Sequence, residues 1–156
     1  MSLKLNETAP NFTLLNTLKK EVKLNELKGK NVVLLFFPLA FTGVCTNELC
    51  SVRDSLADYN QLNATIFGIS VDSLFTLAKY KEEQKLNFEL LSDFNKNVSL
   101  DYNCLYENFA FGMKGVSKRS AFVIDKNGIL KHIEILENAG ELPNFETIKT
   151  VLKNLN

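Results

Sequence analysis

Six consecutive apolar positions, Val32-Val33-Leu34-Leu35-Phe36-Phe37, interrupt a chain that otherwise mixes apolar and polar residues. A strand apolar on both faces belongs in the middle of a sheet covered on both sides. Ahead of it, apolar stretches at 12–15 and 22–24 flank a polar turn, Asn16-Thr17-Leu18-Lys19-Lys20, which predicts an N-terminal β-hairpin. Leu27-Lys28-Gly29-Lys30 then closes a short element and leads into the central strand. After it, Leu49, Val52, Leu56 and Tyr59 recur at helical spacing, predicting one helix from 46 to about 62. Residues 65–71 predict a second strand. Asp72 or Ser73 caps a helix to about 84, with Leu74, Leu77, Ala78 and Lys81 at turn spacing. A short strand at 87–91, a capped turn at Ser92-Asp93-Phe94-Asn95 and a short helix to about 102 follow.

Residues 103–118 carry no clean period and predict a long irregular segment. Strands at 121–125 and 129–136 are joined by the turn residues Lys126-Asn127-Gly128, the clearest hairpin in the chain. Pro143 opens a last amphipathic helix through Phe145, Ile148, Val151 and Leu152. A β-α-β-α half followed by a hairpin and a helix predicts an α/β fold with a mixed central β-sheet flanked by helices. The order matches a thioredoxin-like core with an N-terminal β-hairpin extension and an insert before the final hairpin. The whole of 1–156 reads as one domain, a length that suits a single core.

Composition narrows the function classes. Eighteen basic residues balance eighteen acidic ones without long runs of one sign, so no field draws the chain to nucleic acid or to a membrane surface. The N-terminal Met1-Ser2-Leu3-Lys4 is followed by polar residues rather than a signal-like apolar stretch, and the longest apolar run is too short to span a bilayer. Three cysteines argue against a secreted disulfide framework and for a reducing cytoplasm. The single histidine, His132, reads as a surface residue beside Lys131, and the nitrogen and sulfur ligands are too few for a metal site.

The chemistry concentrates between Phe36 and Arg53. An apolar strand runs into Pro38, a tight turn carries Thr42-Gly43, and Cys45 sits where a helix should begin. Helix N-termini present unpaired N–H groups and a partial positive charge, and cysteines placed there have pKa values lowered to about 3.5–7.5. A cysteine taken alone is more often a small buried hydrophobe, but the strand–turn–cysteine–helix context favours a reactive thiol.

Pro38-(x3)-Thr42-(x2)-Cys45 resembles the peroxidatic motif of the peroxiredoxins, the alkyl hydroperoxide reductase and thiol-specific antioxidant family. The resemblance extends through Ala9-Pro10-Asn11-Phe12-Thr13-Leu14, Gly68-Ile69-Ser70-Val71-Asp72-Ser73, the 88–93 segment and Arg119-Ser120-Ala121-Phe122-Val123-Ile124-Asp125, covering roughly residues 6–152. It implies a thiol peroxidase acting on hydrogen peroxide and organic hydroperoxides, without metal, haem, flavin or other cofactor. It implies too that Cys45 becomes a sulfenic acid. Thr42 would hydrogen-bond both thiolate and peroxide, Arg119 would bring positive charge to the sulfur, and Pro38 would limit water access. Backbone N–H groups of Val44 and Cys45 would complete the cradle. Glu48 has two readings: a favourable charge in the helix's first turn, or a carboxylate orienting an arginine.

Cys45-(x4)-Cys50 resembles the spacing of the peroxiredoxin Q or bacterioferritin comigratory branch, in which the second cysteine resolves the sulfenate as an intramolecular disulfide. In an intact helix, Cα atoms five residues apart are roughly 8–9 Å apart. A disulfide needs them within about 7 Å, so the first turn would have to unwind. The residues immediately around Cys45 resemble instead a one-cysteine branch resolved by an external thiol. A thioredoxin or glutaredoxin would supply the electrons. A non-catalytic redox sensor needs the same reactive thiol and stays open; an ordinary thiol–disulfide oxidoreductase is disfavoured because no Cys-x-x-Cys pair is present. Cys104 reads as packed and inert. Leu105, Phe109, Phe111 and Met113 read as core, pocket wall or interface, with core or wall favoured, and Phe41, Phe109 and Phe111 as the residues shaping the pocket. Monomer and homodimer both remain possible.

Overall fold

The computed structural model describes residues 3–156; Met1 and Ser2, which open the polar N-terminal stretch, lie outside it. The strands are β1 (Thr13–Asn16), β2 (Glu21–Lys23), β3 (Asn31–Phe36), β4 (Ala64–Ser70), β5 (Glu89–Ser92), β6 (Ser120–Ile124) and β7 (Leu130–Ile135). The helices are α1 (Gly43–Asp54), α2 (Leu56–Gln61), α3 (Leu74–Gln84), α4 (Asn97–Asp101) and α5 (Phe145–Leu155). One seven-stranded sheet has the order β2-β1-β5-β4-β3-β6-β7. Strands β3, β4 and β5 are parallel, and the remaining pairs are antiparallel. The mixed sheet, the N-terminal hairpin and the C-terminal hairpin all appear where the sequence pattern placed them.

Strand β3 explains both cores. Successive side chains of a strand point to opposite faces. Val33, Leu35 and Phe37 pack with Leu49 and Val52 of α1, Tyr59 of α2, Leu77 and Tyr80 of α3, and Ile148 and Leu152 of α5. Val32, Leu34 and Phe36 pack with Phe12, Leu91, Val98 of α4, Tyr102, Cys104 and Phe122. Crossovers between parallel strands are right-handed, and two that step the same way across a sheet place their helices on one face. That is why α1, α2 and α3 share the first core.

Three details depart from the sequence reading. The helix expected over 46–62 is two helices that meet at Ser55, whose backbone lies at φ −109°, ψ 12°. Leu56 and Tyr59 still join the same core, so the apolar stripe runs on through a break that periodicity cannot register. Pro143 precedes the last helix rather than opening it; Asn144 is the N-cap, and its side chain accepts from Thr147 N–H at 3.1 Å. His132 is not a free surface residue: its side chain is only 14% exposed, with Nε2 3.1 Å from Glu134 Oε1.

Candidate active site

The chain leaves β3 at Phe36 and enters α1 six residues after Phe37, at Gly43. The reversal depends on Phe41, whose φ of +64° is left-handed. Thr42 is the N-cap with extended backbone, but its side chain does not cap the helix. Its hydroxyl donates to the Leu39 carbonyl at 2.7 Å, which fastens the turn. The first helical bond runs from Thr46 N–H to the Thr42 carbonyl at 3.0 Å. The amides of Gly43, Val44 and Cys45 precede it and have no place in the helix ladder. Cys45 is therefore the third residue of α1 rather than its first. The thiolate contact expected of Thr42 is replaced by the bond to Leu39.

The pairing of β3 with β6 brings in the second half of the site. Phe36 lies opposite Ser120, so Arg119, the residue before β6, reaches the end of β3 where the chain turns into α1. Its side chain is buried, at 1% exposure, against the equally buried Cys45. Arg119 Nη2 donates to Cys45 Sγ at 3.2 Å, and Nη1 donates to Glu48 Oε1 at 2.7 Å. Nε and Nη2 both donate to the Ala139 carbonyl, at 3.2 and 3.1 Å. The fork of the guanidinium is thus fixed from a helix and from a loop, with one arm left for sulfur.

Glu48 is fully buried. It lies one turn beyond Cys45 on the same helix face. The first turn of α1 carries no acidic residue, so the reading of Glu48 as a first-turn helix charge does not apply. Burial pushes its carboxyl up to about 7, against the opposing pull of the Arg119 guanidinium. Its Oε2 has no hydrogen-bond partner among the described residues.

A cavity of about 240 Å³ opens onto Cys45 and Arg119. Pro38, Leu39, Val44, Phe109 and Ala139 give it apolar walls, and Thr42, Cys45 and Arg119 supply the polar part. Phe109 is the one aromatic of the irregular segment that lines it. Phe111 stands 98% exposed on a tight turn, neither core nor wall, and Phe41 lies outside the cavity with its ring against Tyr80. Ala139 and Gly140 were not foreseeable from side-chain type, because Ala139 contributes a backbone carbonyl.

Cys50 sits in the same unbroken helix, half-buried, with Sγ 3.6 Å from Gln84 Oε1. All three cysteines are free thiols. Cys104 is fully buried in the second core, and burial pushes its thiol up to about 12.

Comparison with known proteins adds the ancestry. The sequence profile of the AhpC/TSA family matches residues 5–133. Bovine peroxiredoxin-2 is 39% identical over 141 residues, covering 86% of this chain and 66% of that protein. The mitochondrial thioredoxin-dependent peroxide reductase of Drosophila melanogaster is 32% identical over 162 residues, covering 97% and 65%. The chain thus spans slightly under two thirds of the length of these relatives. Among solved structures, peroxidoxin BcpB from Mycobacterium tuberculosis superposes with a TM-score of 0.86 at 26% identity, covering 99% of both chains.

Proposed function

The chain belongs to the AhpC/TSA family, and from that premise we propose that it is a thiol-dependent peroxidase, a peroxiredoxin of thioredoxin-like fold working as a single domain. The observation that carries the reading is the Arg119 guanidinium 3.2 Å from the buried Cys45 sulfur at the end of an open cavity.

The Cys45 thiolate attacks the terminal oxygen of a hydroperoxide. An S–O bond forms, the O–O bond breaks, and the departing oxygen leaves with a proton as water or an alcohol, giving a sulfenic acid. Stabilising the thiolate alone does not make it faster, because nucleophilicity falls as the anion is stabilised. The acceleration has to come from groups that hold the O–O bond as its charge shifts. Arg119 is suited to that work because Glu48 and the Ala139 carbonyl already fix its orientation. The Thr42 hydroxyl donates its hydrogen bond to the Leu39 carbonyl and keeps its oxygen as an acceptor for the peroxide O–H. The amides of Gly43, Val44 and Cys45 are the remaining donors. Pro38 adds a wall without an N–H.

A cavity of about 240 Å³ exceeds the need of hydrogen peroxide several times over, since one water occupies about 30 Å³ of liquid. Its apolar walls suit the substituent of an organic hydroperoxide. Regeneration requires a thiol: Cys50 after the first turn of α1 unwinds, or an external thiol if Cys50 stays in place. A thioredoxin- or glutaredoxin-type dithiol completes the cycle, in a reducing compartment such as the cytoplasm. Among the described residues no helix is long and apolar enough to cross a membrane. Stopped-flow measurement of Cys45 oxidation tests the proposal. A rate constant no greater than that of free cysteine would defeat it, and would leave the redox-sensor reading without its reactive thiol as well.

A further inference from the structure

Tyr80 is fully buried in α3 and has no part in the chemistry above. It touches both ends of the catalytic turn. Its ring meets Phe41 edge-on, with centroids 5.0 Å apart at 60°. Its hydroxyl lies 2.9 Å from Thr46 Oγ1. Burial raises the phenol to about 12, so the hydroxyl keeps its proton at neutral pH.

Phe41 and Thr46 bracket the segment from Thr42 to Cys45. A bulky residue at φ +64° is unfavourable on its own and persists only when its surroundings hold it. The Thr46 N–H makes the bond that closes the turn containing Cys45. Tyr80 therefore supports the strained entrance with its ring and the first helical bond with its hydroxyl. It belongs to a row of contacts along α1, each spanning 34 residues: Thr46 with Tyr80 and Cys50 with Gln84 link α1 to α3, and Arg53 with Asn87 links it to the segment that follows α3. The Tyr80 contact is the one at the catalytic end.

We propose that Tyr80 is a positioning residue for Cys45, clamping both ends of the Thr42–Cys45 turn in the peroxide-binding form, and that its release frees the turn for reduction of the sulfenic acid. The proposal rests on the peroxidase reading. The open side of the Cys45 sulfur faces the cavity, where the peroxide leaves its oxygen. A reducing thiol must approach from the opposite, packed side, and at 1% exposure that side is closed until the turn opens. In that step a thiol attacks the Cys45 sulfur, an S–S bond forms, the S–O bond breaks, and the oxygen leaves as water. A second thiol of the same dithiol then displaces Cys45. The clamp favours oxidation and retards reduction, so loosening it moves the two rates in opposite directions.

Tyr80→Phe removes only the hydroxyl, and Thr46→Val removes its partner. Both are measured in a Cys50→Ser background, where dithiothreitol is the reductant. Each should slow Cys45 oxidation by peroxide and speed dithiothreitol reduction of the sulfenate, by about 3- to 10-fold, the span of one ordinary hydrogen bond. The double variant should add little to either single one. A residue that merely supports the fold would lower the melting temperature and leave both rates in place or move them together; either result overturns the clamp. So does full additivity of the double variant. A parent protein that oxidises no faster than free cysteine removes the peroxidase reading itself, whereas a fast parent with unmoved variants overturns the clamp alone.

Discussion

Cys45 and Cys104 are equally hidden from solvent, at 1% and 0% exposure, yet they occupy opposite faces of the sheet in opposite chemical settings. Cys45 borders a cavity and receives a hydrogen bond from a guanidinium. Cys104 lies among Phe36, Tyr102 and Phe122, and burial drives its thiol away from ionisation. Burial by itself thus says nothing about whether a thiol reacts. What separates the two is a charged donor and an open path.

The widest break in that comparison is removal of each sulfur in turn. Cys45→Ser should abolish peroxide turnover, while Cys104→Ser should retain it, both followed by consumption of a reductant. Next is the donor: Arg119→Met should lower the rate constant for Cys45 oxidation by about 10²–10³-fold, the loss seen when one transition-state donor is deleted. Arg119→Lys should recover little, because a lysine cannot reproduce the four directed hydrogen bonds of the guanidinium fork.

Glu48 probes how the charge is held. Above pH 7, where the Glu48 carboxyl is ionised, Glu48→Ala leaves Arg119 buried without its counterion and should cost about 3–5 kcal/mol in urea unfolding. Glu48→Gln tests the pH dependence. The folded carboxyl titrates near 7, above the unfolded value of 4.5, so the native state holds a proton that the unfolded chain releases. Its contribution to stability is full below 4.5 and is lost as pH rises through 7. The glutamine variant should flatten that decline in a series of melts.

The smallest effect is at the path. Phe109→Ala should reduce the preference for cumene hydroperoxide over hydrogen peroxide by about tenfold in kcat/KM, the scale of one or two lost methylene contacts. An unchanged ratio would show that the aromatic wall does not select substrate.

Much of the fold was legible because it depends on local patterns. The apolar run through β3, the capped α3 and the turn at Lys126-Asn127-Gly128 all announce themselves in sequence. The break at Ser55 did not, since the side chains on either side of it serve one core. For the site, Cys45, Thr42 and Pro38 are neighbours along the chain and were visible as a motif. Arg119 alone resembles any surface arginine; only strand pairing shows where it goes. The choice between two readings of Glu48 needed its depth in the helix. Ala139 acts through a peptide carbonyl, which every residue has, and Tyr80 looks like ordinary core until its hydroxyl is traced to Thr46.

The register that sets Phe36 opposite Ser120 also has a temporal consequence. Cys45 and Arg119 are 74 residues apart and meet only when β6 docks against β3. During synthesis the cysteine emerges long before its arginine, and a contact of such sequence separation has to meet a loop-closure cost that local contacts do not. Sensitivity to peroxide is therefore a stopwatch for assembly: a brief pulse during refolding, scored by mass at Cys45, would date the arrival of β6.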